Sequence, residues 1–144
     1  EYRLLKDRNS LILSPIHLEN KEEKYFITEN QIEVKVPLNL SFCKAADISF
    51  DSNKTIFVDA DKLQYPLILR HWNKGDSFQP FGMNGKTKKV SKLFKDEKLS
   101  LVEKENSWLL CSNDEIVWII GLRQDERFRI ENTTTNRLKI QLEE

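Results

Sequence analysis

Short stretches in which apolar and polar residues alternate dominate this chain of 144 residues. A period of two is typical of a strand with one buried face. Turn-forming residues lie between several of these stretches and predict β-hairpins. The predicted hairpins join residues 2–5 to 11–14, 24–28 to 31–36, and 108–111 to 116–120; further strands are predicted at 38–42, 55–58, 67–71 and 138–142, with one helical turn at 59–61.

Residues 90–106 break this alternation. Val90, Leu93 and Phe94 recur at the spacing of one helical face, and Ser100 is a candidate N-cap for a second helical segment that ends at Asn106. The predicted fold class is therefore α+β and β-rich, with sandwich-like strands and hairpins and two short helices around residues 90–106. We expect a β-rich segment over 1–66 and a C-terminal domain over 67–144, with the alternative that the two pack as one unit.

Positive charge is concentrated in one part of the chain. The formal net charge is zero, but residues 70–98, the basic segment, carry eight basic side chains against three acidic ones. Tryptophan, phenylalanine and three of the four glycines lie among them. Such a concentration selects a polyanion, although a solvated lysine face is the alternative. The candidate contacts are Arg70, Lys74, Lys86, Lys88, Lys89, Lys92 and Lys95; the candidate turn residues are Gly75, Asp76, Gly82 and Gly85, with Asp76 expected to accept backbone N–H groups.

Several protein classes are excluded by composition. No apolar run approaches the roughly 20 residues that cross a bilayer, and the charged first ten residues are no signal peptide. Because Glu1 is not a start methionine, we expect a piece of a longer protein. Cys43 and Cys111 are interpreted as buried thiols in a reducing cytoplasm, with a disulfide as the alternative. His17 and His71 have no partner at metal-ligand spacing, so no metal site is expected.

No catalytic motif is found. Residues 82–87 look like a phosphate-binding loop, but the glycine required five residues before Gly85 is replaced by Pro80. The carboxylate pairs at 96–97 and 125–126 are assigned to solvated turns or salt bridges before general acid–base roles. We therefore expect no catalytic residue in this chain.

Four blocks of the sequence resemble a known family. They are LRHWNKGDSF at 69–78, PFGM at 80–83, KKVSKLF at 88–94, and IVWIIGLR at 116–123 followed by Asp125 and Arg127-Phe128. Their order, R-x-W-x-x-G-D-x-F-x-P-x-G-M … K-K-V-S … G-L-R-x-D-x-R-F, resembles the C-terminal domain of tRNA(Ile)-lysidine synthetase over roughly the last 75 residues. The chain departs from the family at Ser77, where an arginine is common, which puts a phosphate contact there in doubt.

The resemblance implies a role in tRNA handling. The family's enzyme uses ATP, with magnesium, to adenylate the wobble cytidine of an isoleucine tRNA, and lysine then displaces AMP to form lysidine. That chemistry belongs to an N-terminal catalytic domain with a Ser-Gly-Gly loop, which this sequence lacks. The fragment itself is thus expected to be noncatalytic, to need no cofactor, and to have as partners the tRNA, at its acceptor-stem region, and the catalytic domain.

The charges and turns of the basic segment suit this role, and two alternatives also fit the sequence. An A-form stem is recognised by shape, phosphates and 2′-hydroxyls, which suits lysines beside glycine turns. Arg123 and Arg127 are candidates either for RNA contact or for salt bridges, and Trp72 for packing. Phe78, Phe81, Phe94, Trp108 and Trp118 are expected in the core. The alternatives are an interaction module that packs on the catalytic domain or forms a homodimer through an exposed apolar patch in 1–66, and a generic single-strand binder with exposed stacking aromatics.

Overall fold

The computed structural model describes residues 2–7, 10–15, 23–45 and 53–143. The strands are β1 (Tyr2–Asp7), β2 (Ser10–Pro15), β3 (Lys24–Ile27), β4 (Glu33–Val34), β5 (Leu40–Lys44), β6 (Thr55–Asp59), β7 (Leu67–His71), β8 (Ser77–Phe78), β9 (Lys88–Lys89), β10 (Trp108–Ser112), β11 (Glu115–Ile119), β12 (Arg123–Gln124) and β13 (Arg137–Leu142). The helices are α1 (Val90–Asp96) and α2 (Leu101–Glu105), with 3₁₀ turns at Ala60–Lys62 and Glu126–Phe128. The β-rich α+β class and both short helices are confirmed.

Two antiparallel sheets form the body of the protein. One has five strands in the order β12–β11–β10–β7–β3, and the other has four in the order β4–β5–β13–β6. Two-stranded ladders join β1 to β2 and β8 to β9. The hairpins predicted at 2–5 with 11–14 and at 108–111 with 116–120 are confirmed by these pairings.

The inner strands β10 and β11 of the five-stranded sheet are buried on both faces over most of their length. One face packs against the four-stranded sheet, where Leu69 and Leu110 share a core cluster with Phe42 and Ile140. The opposite face packs against α1 and β8, and that second cluster consists of Phe78, Val90, Leu93, Phe94, Leu109, Cys111, Ile116 and Ile119. A strand buried on both sides needs apolar residues at every position, which accounts for the unbroken run from 116 to 120.

A β-bulge interrupts the pairing of β10 with β11. Leu110 pairs with Trp118 and Cys111 with Ile116, so Val117 is the extra residue. Val117 and Trp118 consequently belong to the same core cluster instead of alternating between faces. The bulge also leaves the Val117 carbonyl free to accept the backbone N–H of Asp125 at 2.9 Å.

The predicted hairpin of residues 24–28 with 31–36 is wrong. β3 pairs with β7 in the five-stranded sheet, whereas β4 pairs with β5 in the other. Of the alternating residues, Val34 is buried, but Ile32 and Val36 are 72% and 65% exposed. Alternation marks a strand with two unlike faces, but it does not identify the strand beside it.

Strands from both sides of residue 66 pair with each other. β3 pairs with β7, and β13 lies between β5 and β6. Residues before and after the expected boundary therefore contribute to the same two sheets. Within the parts of the chain that the structure describes, segments 23–45 and 53–143 share one core.

Candidate nucleic-acid interface

The basic segment begins with a tight turn that Asp76 holds. Arg70, on β7, donates to the Asp76 carboxylate from Nη1 and Nη2 at 2.9 and 3.1 Å. The carboxylate also accepts the backbone N–H of Asn73 at 2.6 Å, and Gly75 adopts φ +99°, which favours glycine. The Arg70 and Asp76 side chains are 17% and 15% exposed, and their hydrogen bond raises the pKa of Arg70. Arg70 is therefore engaged within the protein.

The two cysteines lie in different surroundings. Cys111 is buried beside Arg70, and burial raises the pKa of its thiol to about 11, which outweighs the opposing effect of the guanidinium. Cys43 is exposed, so its expected burial is wrong. Because Phe42 faces the core, the next residue on β5 faces outward. Both thiols are free, and the alternative of a disulfide is excluded in this structure.

The β8–β9 ladder and α1 present the lysines after the turn. Ser77 pairs with Lys89 across the ladder, and the Val90 N–H donates to the Asp76 carbonyl at 2.9 Å, which ties the start of α1 to the turn. The buried residues of α1 fix which side of the helix meets the core. Lys89, Lys92 and Lys95 are left exposed to solvent.

Asp96 holds two of the candidate lysines. Lys88 Nζ lies 2.7 Å from one carboxylate oxygen, and Lys92 Nζ lies 3.6 Å from the other. The Lys88 side chain is only 17% exposed, against 65% for Lys92. The hydrogen bond from Lys88 is the main reason that the pKa of Asp96 lies below its ordinary value. Lys88 is thus paired with a carboxylate in the free protein.

Residues 79–86 form a loop of two consecutive turns. The Met83 N–H donates to Pro80, and the Lys86 N–H to Met83, at 3.2 and 3.1 Å. The loop is fastened to β12 and the 3₁₀ turn after it, because the Phe81 N–H donates to the Gln124 carbonyl at 2.9 Å and Arg123 Nη2 donates to the Phe81 carbonyl at 2.9 Å. The backbone of this loop is therefore fixed by residues about 40 positions later.

Two adjacent carboxylates complete this fastening. Asp125 is fully buried and accepts the Gln79 N–H at 2.8 Å, while Glu126 accepts the Gly85 N–H at 3.0 Å. Arg127 donates to Asp125 from Nε and Nη2 at 3.0 and 2.8 Å, and the hydrogen bond raises the pKa of Arg127. The sequence pattern predicts solvated turns or salt bridges for this acidic pair. It contains no signal for the contact with loop 79–86, since the partners are 46 and 41 residues apart.

The predicted site residues separate into two groups. Arg70, Lys88 and Arg127 are in ion pairs, and Arg123 donates to a backbone carbonyl. The second group, here called the exposed lysine set, consists of Lys74, Lys86, Lys89, Lys92 and Lys95. Apart from Lys92, its members form no ion pair with the described residues. Gly75, Gly82 and Gly85 all have positive φ at the turns between these elements.

Other kinds of site receive no support from the described residues. They contain no group of three or more histidine, cysteine or acidic side chains that could hold a metal ion. Among the same residues, no helix has the length and apolar character needed to span a membrane. The exposed lysine set gives this surface positive charge.

Comparisons with known proteins agree with the motif order. The family model described as the TilS substrate C-terminal domain matches residues 67–141. The tRNA(Ile)-lysidine synthase of Parabacteroides distasonis is 47% identical over 138 residues, which is 92% of this chain and 31% of that protein. Its namesake in Bacteroides thetaiotaomicron is 38% identical over 143 residues, 93% of this chain and 29% of that protein. The chain thus spans about a third of the length of these relatives.

The fold has a counterpart among solved structures. A structure titled "Crystal structure of TILS C-terminal domain" aligns with a TM-score of 0.67 at 24% identity, covering 83% of this chain and 95% of that one. At that identity the likeness concerns the fold alone. The family match extends over more than half of the sequence and includes the turn, loop 79–86, α1 and the residues that fasten them. This chain therefore belongs to the family of TilS substrate C-terminal domains.

Proposed function

We propose that this chain binds tRNA on behalf of a tRNA(Ile)-lysidine synthase and positions its acceptor-stem region. The synthase is a ligase that joins lysine to the wobble cytidine of an isoleucine tRNA, with ATP and magnesium. In this proposal the rest of the synthase performs the chemistry. This chain supplies affinity and orientation and contributes no catalytic residue.

One observation carries the proposal. Some cations of the predicted site are paired with carboxylates within the protein, whereas the exposed lysine set faces solvent. Arg70 and Arg127 are neutralised by Asp76 and Asp125, and these carboxylates also accept backbone N–H groups of the turn and of loop 79–86. The exposed lysine set is then presented from a turn, a loop and a helix that are tied to one another and to the core. Phosphate contacts of this kind supply affinity and register without reading bases. They suit an A-form stem, whose deep major groove excludes side chains.

A matched pair of triple variants tests this. Replacing Lys86, Lys89 and Lys95 with alanine removes three exposed charges from the basic segment. We expect weaker tRNA binding and a slope of log K against log salt that is flatter by roughly two to three, since each phosphate contact contributes nearly one. The measurement is a salt titration of binding to isoleucine tRNA, with a single-stranded oligonucleotide in parallel.

The control removes three exposed lysines elsewhere. Lys24, Lys35 and Lys44 lie outside the basic segment and are also exposed. Their replacement with alanine changes the net charge equally, so only long-range attraction is lost and the slope is expected to stay close to its original value. If both triple variants changed binding equally, tRNA affinity would depend on net charge and not on the basic segment. If the first triple variant folded and bound tRNA with an unchanged salt slope, these lysines would be a solvated face without a role in binding.

The structure does not support the alternative of a generic single-strand nucleic-acid binder. Stacking on unpaired bases requires several exposed aromatic rings. Among the described residues, Phe26 is the one exposed aromatic side chain, at 60%. It lies on β3, outside the basic segment.

A second candidate function is docking onto the remainder of the synthase or onto a second copy. Phe26, Ile32 and Val36 are 60%, 72% and 65% exposed, and they lie on or beside β3 and β4, each an edge strand of its sheet. Exposed large apolar side chains close in sequence at sheet edges are typical of a contact surface. Both functions are compatible, because they use different residues.

The docking candidate has its own test. Replacing Phe26 and Ile32 with serine in a complete synthase is expected to weaken the contact between this domain and its neighbour, measured as faster proteolytic release of the domain or a smaller sedimenting species. Leu101→Ser on α2, exposed at 36%, is the control. Unchanged release and sedimentation in the double variant would remove this candidate and leave tRNA binding unaffected.

A further inference from the structure

One acidic residue outside the basic segment contacts loop 79–86 at both of its ends. The Glu126 N–H donates to the Gln79 carbonyl at 2.8 Å, and the Glu126 carboxylate accepts the Gly85 N–H at 3.0 Å. Glu126 occupies a position that the family motif leaves open. It is connected to the interface by its contacts and not by the resemblance.

The bond to Gly85 determines where the second half of the loop lies. The first half is held separately, through the backbone N–H and carbonyl of Phe81. Among the described residues, the Gly85 bond is the one hydrogen bond that joins residues 83–86 to a residue outside the loop. The position of Lys86, the last residue of the loop, therefore depends on Glu126.

The Glu126 side chain is itself fixed by an arginine. Arg129 Nη1 lies 3.2 Å from the second carboxylate oxygen of Glu126, and Arg129 Nη2 lies 3.4 Å from Glu131. The Glu126 side chain is only 12% exposed. Among the described residues, no ion pair joins Glu126 to Lys86. Glu126 thus holds the backbone of the loop without pairing with its lysine.

We propose that Glu126 is a positioning residue for the contact of Lys86 with tRNA. Its carboxylate fixes the Gly85 N–H, and with it the direction in which the next residue leaves the loop. Because exposed lysines are taken to meet phosphates, this role rests on the proposed function. Removing an acidic charge beside a polyanion site ordinarily strengthens binding, whereas removing this acceptor is expected to weaken it.

Two substitutions at Glu126 separate the hydrogen bond from the charge. Glu126→Gln keeps an oxygen that accepts the Gly85 N–H, so tRNA affinity is expected to stay the same or to rise up to about twofold. Glu126→Ala removes the acceptor, and affinity is expected to fall about two- to fivefold, with a salt slope flatter by up to about one, because one phosphate contact is weakened. Salt titration of binding to isoleucine tRNA by this chain measures both quantities.

The matched control removes a carboxylate from the same arginine without a contact to the loop. Glu131 pairs with Arg129 and Lys62, and Glu131→Ala is expected to leave tRNA affinity unchanged or slightly higher. Exchange of the Gly85 amide should be faster in Glu126→Ala than in Glu131→Ala or Glu126→Gln. Melting temperatures establish that each variant is folded. If Glu126→Ala does not fold, Glu126→Asp, which keeps the charge but withdraws the carboxylate by one methylene, replaces it.

A double-mutant cycle identifies the lysine that Glu126 positions. Lys86→Ala is made in the original protein and in Glu126→Ala, and Lys74→Ala, in the turn before β8, is made in the same two backgrounds. Contacts that depend on one another have non-additive effects. We expect Lys86→Ala to weaken binding about three- to fivefold in the original protein and by less than about twofold in Glu126→Ala. Lys74→Ala is expected to have the same effect in both.

The outcomes separate this role from the proposed function. Equal losses of affinity in Glu126→Gln and Glu126→Ala, or equal effects of Lys86→Ala in both backgrounds, overturn the positioning role and leave the proposed function standing. An increase of affinity in Glu126→Ala overturns it as well, since Glu126 would then act through its charge alone. Unchanged tRNA binding when Lys74 and Lys86 are both replaced removes the proposed function, and this role with it.

Discussion

Replacing Asp125 with asparagine is the sharpest perturbation of the basic segment, although Asp125 lies outside it. Its carboxylate is fully buried. One oxygen accepts the backbone N–H and Nε of Arg127 at 2.7 and 3.0 Å, and the other accepts the Gln79 N–H and Arg127 Nη2, each at 2.8 Å. Asparagine keeps the shape but puts an NH₂ group in place of one oxygen. Whichever way the asparagine amide is oriented, its NH₂ group then faces two N–H donors that a carboxylate oxygen accepted before.

The cost follows from those contacts. Each hydrogen bond to a charged group contributes about 1.5–3 kcal/mol, and breaking a buried ion pair costs about 3–5 kcal/mol. Arg127 keeps Glu115 at 2.7 Å and its side chain is 31% exposed, so water and Glu115 offset part of the loss. We therefore expect Asp125→Asn to lower the free energy of unfolding by about 2–4 kcal/mol. For a domain of this size that is roughly 10 °C in melting temperature.

Thermal unfolding and amide exchange measure the effect. The control is Asp114→Asn, the same chemical change at an exposed position in the turn between β10 and β11, with an expected change within about 0.5 kcal/mol. The Gln79 and Gly85 amides should exchange faster in Asp125→Asn, since loop 79–86 loses one of its fastenings. A melting temperature within about 2 °C of the original protein would refute the assignment of Asp125 as the anchor of this loop.

Two further changes concern charge at the interface. Asp96→Asn releases two lysines and is expected to raise tRNA affinity about two- to fivefold at low salt. The rise should exceed that of Glu97→Gln, at the C-cap of the same helix. Equal effects, or a loss of affinity, would contradict the idea that Asp96 competes with phosphate. Ser77→Arg adds a cation opposite Lys89 and is expected to steepen the salt dependence of tRNA binding by about one. Thr28→Arg, at an exposed position outside the basic segment, is its control, and equal slopes would show that position 77 does not face the RNA.

Local sequence patterns were sufficient for elements whose cause is local. The second helix begins at a capping box, in which the Ser100 hydroxyl accepts the Glu103 N–H at 3.1 Å and the Glu103 carboxylate accepts the Ser100 N–H at 2.9 Å. The buried face of α1 follows from the spacing of three apolar residues. Both signals lie within a few residues, so a single sequence contains them completely.

Local patterns do not predict which strands pair when they are far apart in the sequence. Residues 24–28 and 31–36 have the alternation of a hairpin, yet the chain crosses from one sheet to the other between them. The choice depends on which neighbours bury Ile27 and Val34, and those neighbours lie on β7 and β5. Likewise, an acidic pair that a local reading places in solvent contains one of the most buried carboxylates, because its partners come from loop 79–86.

The distribution of roles within the family motif follows from the same geometry. Residues such as Arg70, Asp76 and Asp125 have fixed partners at short distances, and a change at any of them disturbs a defined contact. Under the proposed function, the exposed lysines act through charge, which a neighbouring lysine can also supply. Arg70, Asp76 and Asp125, which belong to the motif, therefore support the surface through their fixed contacts. Of the residues proposed to touch tRNA, Lys86 and Lys95 lie outside the motif blocks, whereas Lys74, Lys89 and Lys92 lie within them. Counting charge finds all five, and matching the motif finds only three.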